Sequence, residues 1–243
     1  MPCFYAPDMK INDNIVIISG TEHHHIIHVF RRKNGDNITI SNGNGFMADG
    51  IISNIEKKTL TITINRINSI QKSFPQIAIA FPLLKNKHDN MIIEKLTELG
   101  VKDFFPIVTE RTVRKPSENT LEKFNKVAIA AMKQCDNAFL PKIHDIRSLP
   151  ELINEMKEYT PVVALEIGKH KTLNEFMANS ESKSICIIIG PEGGFDEKEI
   201  EFFVKENIIT FTLGNHILRA ETAAISSVSQ LVGYLLQIDP EYY

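Results

Sequence analysis

The 243-residue chain has three cysteines, Cys3, Cys135 and Cys186, far apart and odd in number. That excludes a disulfide framework and leaves no paired-cysteine zinc site. No basic start followed by a long apolar stretch opens the chain, and its longest apolar run, Ile77 to Leu84, is too short to span a bilayer. The expectation is a cytoplasmic protein with no membrane segment and no metal. Neither a GxxxxGK[ST] loop nor a GxGxxG fingerprint occurs, so two common glycine-built phosphate cradles are absent. Internal repeats and low-complexity segments are absent as well. A net charge of −3 argues little for an RNA partner, but the charges are unevenly spread: residues 1–147 carry 20 basic against 15 acidic side chains, and residues 148–243 carry 7 against 15.

What is present divides in two. Residues 1 to about 70 read as β, with strands expected at Asn37–Ser41, Phe46–Ile55 and Thr59–Asn68, the last alternating Leu60, Ile62 and Ile64 with threonines. Short strands punctuated by turns at Asn42–Gly45 and Glu56–Lys58 suggest a small barrel. The histidines His23, His24, His25 and His28 invite a metal reading, but adjacent side chains seldom converge on one ion and no acidic or cysteine cluster accompanies them. A structural role, with some contact to RNA, is the better expectation. Beyond a boundary near Ser69–Pro75 the rhythm changes to strand and helix in alternation. Strands are expected at Ile77–Leu83, Asp103–Val108 and Val162–Leu165, and helices at Asp89–Leu99, Asn119–Gln134 and Leu149–Tyr159. This predicts a mostly parallel α/β sheet.

The stretch from Ile185 to Leu231 organises the chain. Ile185–Ile189 is a short apolar, β-branched run suited to a strand buried on both faces. It stops at Gly190-Pro191, and Asp196 with Glu199 forms a capping-box pattern that opens a helix to about Glu206. A second strand, Ile208–Leu213, breaks at Gly214-Asn215, and a last helix spans about Thr222 to Leu236. Ligands of open α/β sheets bind beyond the carboxyl ends of the strands, where both glycine loops lie. Glu192 repels phosphate and no lysine follows the glycines, so a nucleoside carrying positive charge, such as S-adenosyl-L-methionine, fits these loops better. Standing alone, GPEGG also reads as a plain strand-to-helix turn. In the last helix Ile225, Val228, Val232 and Leu235 form one apolar set and Ala224, Leu231 and Leu236 a second, a stripe broader than one packing partner needs.

GPEGGF at 190–195 and LGNHILRAETA at 213–223 resemble the RsmE family of 16S ribosomal RNA uridine-N3 methyltransferases. HHHIIHVFRRKNGD near the start, EKLTELGV at 94–101, TER at 109–111 and Gln134-Cys135 match that family in order. The resemblance implies a SPOUT-type trefoil-knotted parallel-sheet domain, residues 73–243, preceded by a small PUA-like β-barrel that binds RNA, residues 1–72. It implies cofactor contacts from Leu165, Glu166, Gly190, Glu192, Gly193, Gly194, Leu213, Gly214, Ile217, Leu218, Thr222 and Ala223. RNA contacts fall to Arg31, Arg32, Lys33 and Arg111, although Arg31 to Lys33 read equally well as surface decoration. A homodimer paired through the last helix is implied too, each site completed by the partner's amino-terminal domain.

Methylation at N3 requires loss of the imide proton and in-line placement of the nitrogen, so the protein's work is orientation and charge stabilisation. Arg219 suits the uracil carbonyl oxygens, and equally an ion pair with Glu221 or Glu192. Glu221 suits either a base or a cap at the start of the last helix. The chain departs from the family at two positions: His216 stands where the LGxRILR run has arginine, and Asn137 where an arginine follows the Gln-Cys pair. A non-catalytic RNA-binding protein that keeps the fold, and a phosphate-handling α/β enzyme, are the competing readings.

Overall fold

The computed structural model describes residues 3–165, 171–178 and 184–242. The chain forms two units, one of residues 1–72 with 129–140, the other of 73–128 with 141–243. In the first unit the strands are β1 (Cys3–Tyr5), β2 (Ile15–Ser19), β3 (Asn37–Ser41), β4 (Phe46–Ile55) and β5 (Thr59–Ser69), in the spatial order β1-β3-β4-β5-β2. Only β1 runs parallel to its neighbour. Period-two alternation turns Ile38, Ile40, Leu60, Ile62, Val16 and Ile18 into one core with Phe4. No ladder joins the edge strands β1 and β2 among the described residues, so the sheet is open at its hydrogen bonds, although both edges feed the same core. Register shifts at Asp49/Gly50 and Ile52/Asn54 break the long β4–β5 ladder, as bulges that bend a strand do.

The histidine segment is helical: α1 (Gly20–His24) runs into a π-turn over His25–Val29. His23 is buried, its Nε2 3.2 Å from the Glu56 carbonyl, and the His24 and His28 rings lie 4.7 Å apart. The segment 129–140 is tied to this unit by the Gly45 N–H on the Ala138 carbonyl (3.0 Å) and the Leu140 N–H on the Gly43 carbonyl (2.8 Å). Asn137, one of the two departures, uses its Oδ1 to accept the Phe139 N–H at 2.9 Å, which makes it a turn residue.

The second unit is built on an all-parallel sheet in the order β11-β13-β10-β12-β6-β7-β8, with β9 also on β7. In chain order its elements are β6 (Ile77–Pro82), α2 (His88–Glu98), β7 (Asp103–Val108), α3 (Thr120–Gln134), β8 (Lys142–Ile143), β9 (Arg147–Ser148), α4 (Leu149–Glu155), β10 (Thr160–Ala164), β11 (Lys171–Thr172), α5 (Leu173–Met177), β12 (Ile185–Ile188), α6 (Glu197–Lys205), β13 (Ile209–Thr212) and α7 (Ala220–Ile238). The second half of α3 belongs to the first unit. β6 and β12, buried at every position, are the central strands, as their unbroken apolar runs require when helices cover both faces. Asp196 caps α6 as its spacing predicts: Oδ1 accepts the Glu199 N–H at 2.7 Å while Glu199 accepts the Asp196 N–H at 2.9 Å.

Three expectations change. The helix expected over Leu149–Tyr159 ends at Glu155, because β10 already begins at Thr160. Short elements, β1, β2, β8, β9, β11 and α5, were not expected, although the run Ile15–Ile18 and the Thr172–Glu175 capping box of α5 were readable signals. In α7 most of the broad stripe is consumed within the chain: Ala224, Val228, Leu231, Val232 and Leu235 are all buried, against β6, β12, α2 and α5, while Ile225 is half-buried and Leu236 exposed, so Val232 is a core residue rather than part of a free dimer face.

Candidate active site

One cavity of about 210 Å³ opens where the carboxyl ends of β10, β12 and β13 meet the start of α7, all within the second unit. Ala164 and Leu165 line it from β10, Ile189 to Glu192 and Gly194 from the loop after β12, Thr212 to Gly214 and His216 to Arg219 from the loop after β13, and Ala220 and Ala223 from α7. Each glycine has its own reason. A Cβ on Gly190 would stand 3.0 Å from the Phe195 ring, which is itself held in the core against Phe203. Gly194 sits at φ +69° and donates its N–H to the Pro191 carbonyl at 2.9 Å, and Gly214 at φ +127° occupies backbone space that side chains disfavour.

The GPEGGF loop is gripped from outside. Arg111 Nη1 donates to the Gly193 carbonyl at 2.8 Å, and the Glu110 N–H donates to Glu199 at 3.0 Å. Glu192, at the cavity's lip, accepts the Lys85 N–H at 3.2 Å. Beyond Lys85 the chain makes a tight turn through Asn86 and Lys87, both at positive φ (54° and 61°), before α2 begins at His88. Asp89, wholly buried, pairs with Arg114, whose Nη1 also lies 3.4 Å from the Leu84 carbonyl. On α7, Glu221 is only 7% exposed and its Oε1 lies 2.7 Å from His88 Nδ1.

Of the residues expected to hold a cofactor, Leu165, Gly190, Glu192, Gly194, Leu213, Gly214, Ile217, Leu218 and Ala223 line the cavity, and so does Arg219. Gly193 does not; its carbonyl faces Arg111, and a Cβ there meets nothing nearer than 3.5 Å. Thr222 and Glu221 are also off the lining, and Glu166 lies outside the described residues. Arg219 is exposed and makes no ion pair with Glu221 or Glu192 among the described residues; it occupies the N-cap of α7 without a side-chain bond. Glu221 is in the first helical turn, where a carboxylate is favoured, but its side chain is spent on His88 and not on capping. In the first unit Arg31 (φ +54°) and Lys33 are exposed, while Arg32 is half-buried with Nε unpartnered among the described residues. Pro191, His216 and Ala220 join the lining because they flank motif residues, whereas His88 had one available signal: it follows a strand at the same carboxyl edge. Cys3 and Cys186 are buried thiols: burial, with Asp136 and Glu22 adding to it, pushes Cys3 up to about 12, and burial raises Cys186 as well.

A family model described as an RNA methyltransferase domain matches residues 71–232, and one described as an RNA methyltransferase PUA domain matches residues 18–65. Ribosomal RNA small subunit methyltransferase E of Bacillus subtilis is 30% identical over 225 residues, which cover 88% of each chain.

The chain belongs to the ribosomal RNA small subunit methyltransferase E family.

The family's catalytic-domain model takes in every cavity residue, and its PUA model runs from β2 to β5. A Legionella pneumophila structure with the cofactor SAM bound is 26% identical, covers 95% of this chain and 96% of its own, and superposes with a TM-score of 0.87. Ribosomal RNA small subunit methyltransferase E from Neisseria gonorrhoeae, crystallised with S-adenosyl methionine, has the same fold at a TM-score of 0.85, with 24% identity over 95% of this chain and 96% of that one.

Proposed function

We propose that this chain transfers a methyl group from S-adenosyl-L-methionine to N3 of a uridine in 16S ribosomal RNA. The observation that carries the reading is the cavity itself: apolar walls from Leu165, Ile189, Leu213, Ile217 and Leu218, backbone exposed at glycines, an acidic lip at Glu192, and no lysine in the lining. Such a lining suits an adenine flanked by apolar side chains, a nucleoside edge read by backbone N–H and C=O groups, and a cationic amino-acid portion near Glu192. The solved Legionella relative with SAM supports the same ligand. When bound, this cofactor supplies an electrophilic methyl on a sulfonium sulfur. Arg219, unpaired among the described residues at the cavity wall, hydrogen-bonds the uracil carbonyl oxygens and stabilises the charge left when N3 loses its proton.

The barrel and the basic part of residues 1–147 hold RNA, while the acidic residues 148–243 hold the cofactor. Residues 1–72 hold RNA through phosphate contacts from Arg31, Arg32 and Lys33, and residues 73–243 form a SPOUT domain whose last helix is threaded through a knot. Arg111 keeps the cofactor loop in shape with one N–H and offers its others to RNA. Insertion of β12 between β6 and β10, out of chain order, supports the knotted reading. The protein works in the cytoplasm as a homodimer paired through the exposed face of α7, where Ser229, Gly233 and Leu236 allow close approach. The reading needs no metal, and no helix among the described residues is long and apolar enough to cross a membrane.

Calorimetry with S-adenosyl-L-methionine, then mass-spectrometric mapping of small-subunit RNA from cells lacking the protein, tests the proposal. The expected result is binding at one site per chain and loss of a single N3-methyluridine. Absence of binding sinks it; binding with an unaltered methylation map leaves the RNA-binding reading in its place.

A further inference from the structure

We propose that His88, oriented by Glu221, is the base that takes the N3 proton of the target uracil. This rests on the methyltransferase reading above. A carboxylate buried as deeply as Glu221 requires a partner, and among the described residues it has His88 Nδ1 at 2.7 Å. An ionised carboxylate can only accept, so Nδ1 carries the hydrogen of this contact, and in the neutral ring Nε2 then keeps its lone pair. Nε2 makes no hydrogen bond among the described residues, and the His88 side chain is 31% exposed. The arrangement, a buried carboxylate that selects the tautomer of a half-exposed imidazole, is one that builds a general base.

The pair is tied to lining residues through two elements. Glu221 directly follows Ala220 and lies two positions after Arg219, both in the lining. On the other side, His88 is three residues from Lys85, whose N–H is fixed on the lining residue Glu192, so at most about 10 Å of backbone separates His88 from that anchored residue. The intervening turn is set by the positive φ of Asn86 and Lys87 and braced by the Arg114 contact to Leu84 and the Arg114–Asp89 pair. Positive φ at two successive non-glycine residues is retained only where the surroundings hold it, and these contacts do so. Glu221 from α7 is the charged group in contact with the imidazole; Lys85, Lys87 and Asp89 lie beside His88 in the chain, with Glu192 bound to the Lys85 N–H and Arg114 paired with Asp89.

The proton passes from N3 to Nε2. The electron pair left on N3 forms the bond to the methyl carbon, and the carbon–sulfur bond breaks with its pair remaining on sulfur. The imidazolium then returns its proton to water. Glu221 acts through His88 and is a positioning residue.

The test uses the full-length protein and small ribosomal subunits purified from cells lacking it. Single-turnover methyl transfer is followed across pH for wild type, His88→Asn, His88→Ala with and without added imidazole, and Glu221→Gln, beside cofactor affinity by calorimetry and nitrogen-15 NMR of the His88 ring. In the wild type the rate falls on the acid side as His88 gains a proton, and NMR shows the Nδ1–H tautomer. His88→Asn, which can still donate to Glu221, keeps cofactor affinity, loses the acid limb and slows about 100-fold. Imidazole restores part of the His88→Ala rate, and Glu221→Gln disturbs the tautomer. An unchanged rate and pH profile in His88→Asn overturns this proposal alone, as does slowing that only follows lost cofactor affinity or lost folding. A wild type that binds cofactor and methylates no ribosomal RNA overturns the functional reading with it.

Discussion

At the amino-terminal end of β7, Asp103 accepts the Tyr159 hydroxyl at 2.5 Å and meets His144 Nε2 at 2.6 Å, while the His144 ring stacks on Phe105 at 4.1 Å. At the carboxyl end of the same sheet, Arg219 is exposed with no ion pair among the described residues, and His88 uses one ring nitrogen and leaves the other open. Burial alone would raise the Asp103 carboxyl, but the hydrogen bonds from His144 and Tyr159 outweigh it and hold the group below its ordinary range; burial, then Asp103, pushes Tyr159 up. A polar cluster whose members satisfy one another contributes stability and has nothing left with which to meet a ligand. A cluster left open at one atom contributes less to the fold and keeps a contact for chemistry.

That contrast breaks most sharply at Arg219. Arg219→Ala is expected to lower methyl transfer by about 10²- to 10³-fold, the usual worth of a charge-stabilising donor, with cofactor affinity and melting temperature unchanged. Single-turnover kinetics beside calorimetry measures it, and a parallel loss of affinity would move Arg219 from chemistry to binding. Next in size is Gly190→Val, which drives a side chain into the Phe195 ring and is expected to cost about 2–3 kcal/mol in urea unfolding while closing the cavity to cofactor. Retained binding would place the ligand elsewhere. At the opposite end of the sheet, Asp103→Asn is expected to cost about 2 kcal/mol at neutral pH with catalysis per folded molecule intact.

The sign of its pH dependence follows from the depressed carboxyl. The wild type holds this contribution above the unfolded carboxyl's range and loses it as pH falls through the lower folded value, so the Asn variant lacks that part of the acid slope. An unaltered slope would mean another carboxylate dominates acid unfolding. Smallest is Gly193→Ala, whose methyl would lie 3.5 Å from Arg111; the expected change in stability and affinity is under about 0.5 kcal/mol. A large loss there would return Gly193 to the cofactor set.

The strands that run through the core were legible because an apolar run or a strict alternation survives in one dimension, as at Ile77–Pro82 and Leu60–Ile64. The start of α6 was legible because Asp196 and Glu199 cap it locally. The last helix begins at Ala220, two residues earlier than its periodicity suggested, since Arg219 takes the N-cap position without a capping side chain to announce it. Two-residue strands such as β8, β9 and β11 exist only because a neighbouring edge is at hand. The broad stripe of α7 misled for a related reason: periodicity counts apolar faces but does not say whether α2, α5 or a second chain covers them.

By itself the sequence determined the change from short strands to alternating strand and helix, the central strands, the capped helix and the glycine loops at the strand ends, because each is written in residues that touch one another along the chain; that 129–140 joins the first unit is not written there. Tertiary structure alone decided that Glu221 meets His88 across 133 positions and that Arg111 grips Gly193 across 82. Contacts of that kind depend on where loops are set down by the sheet beneath them, and a parallel sheet brings the ends of distant strands to one edge without leaving any local pattern to mark which side chains will face each other there.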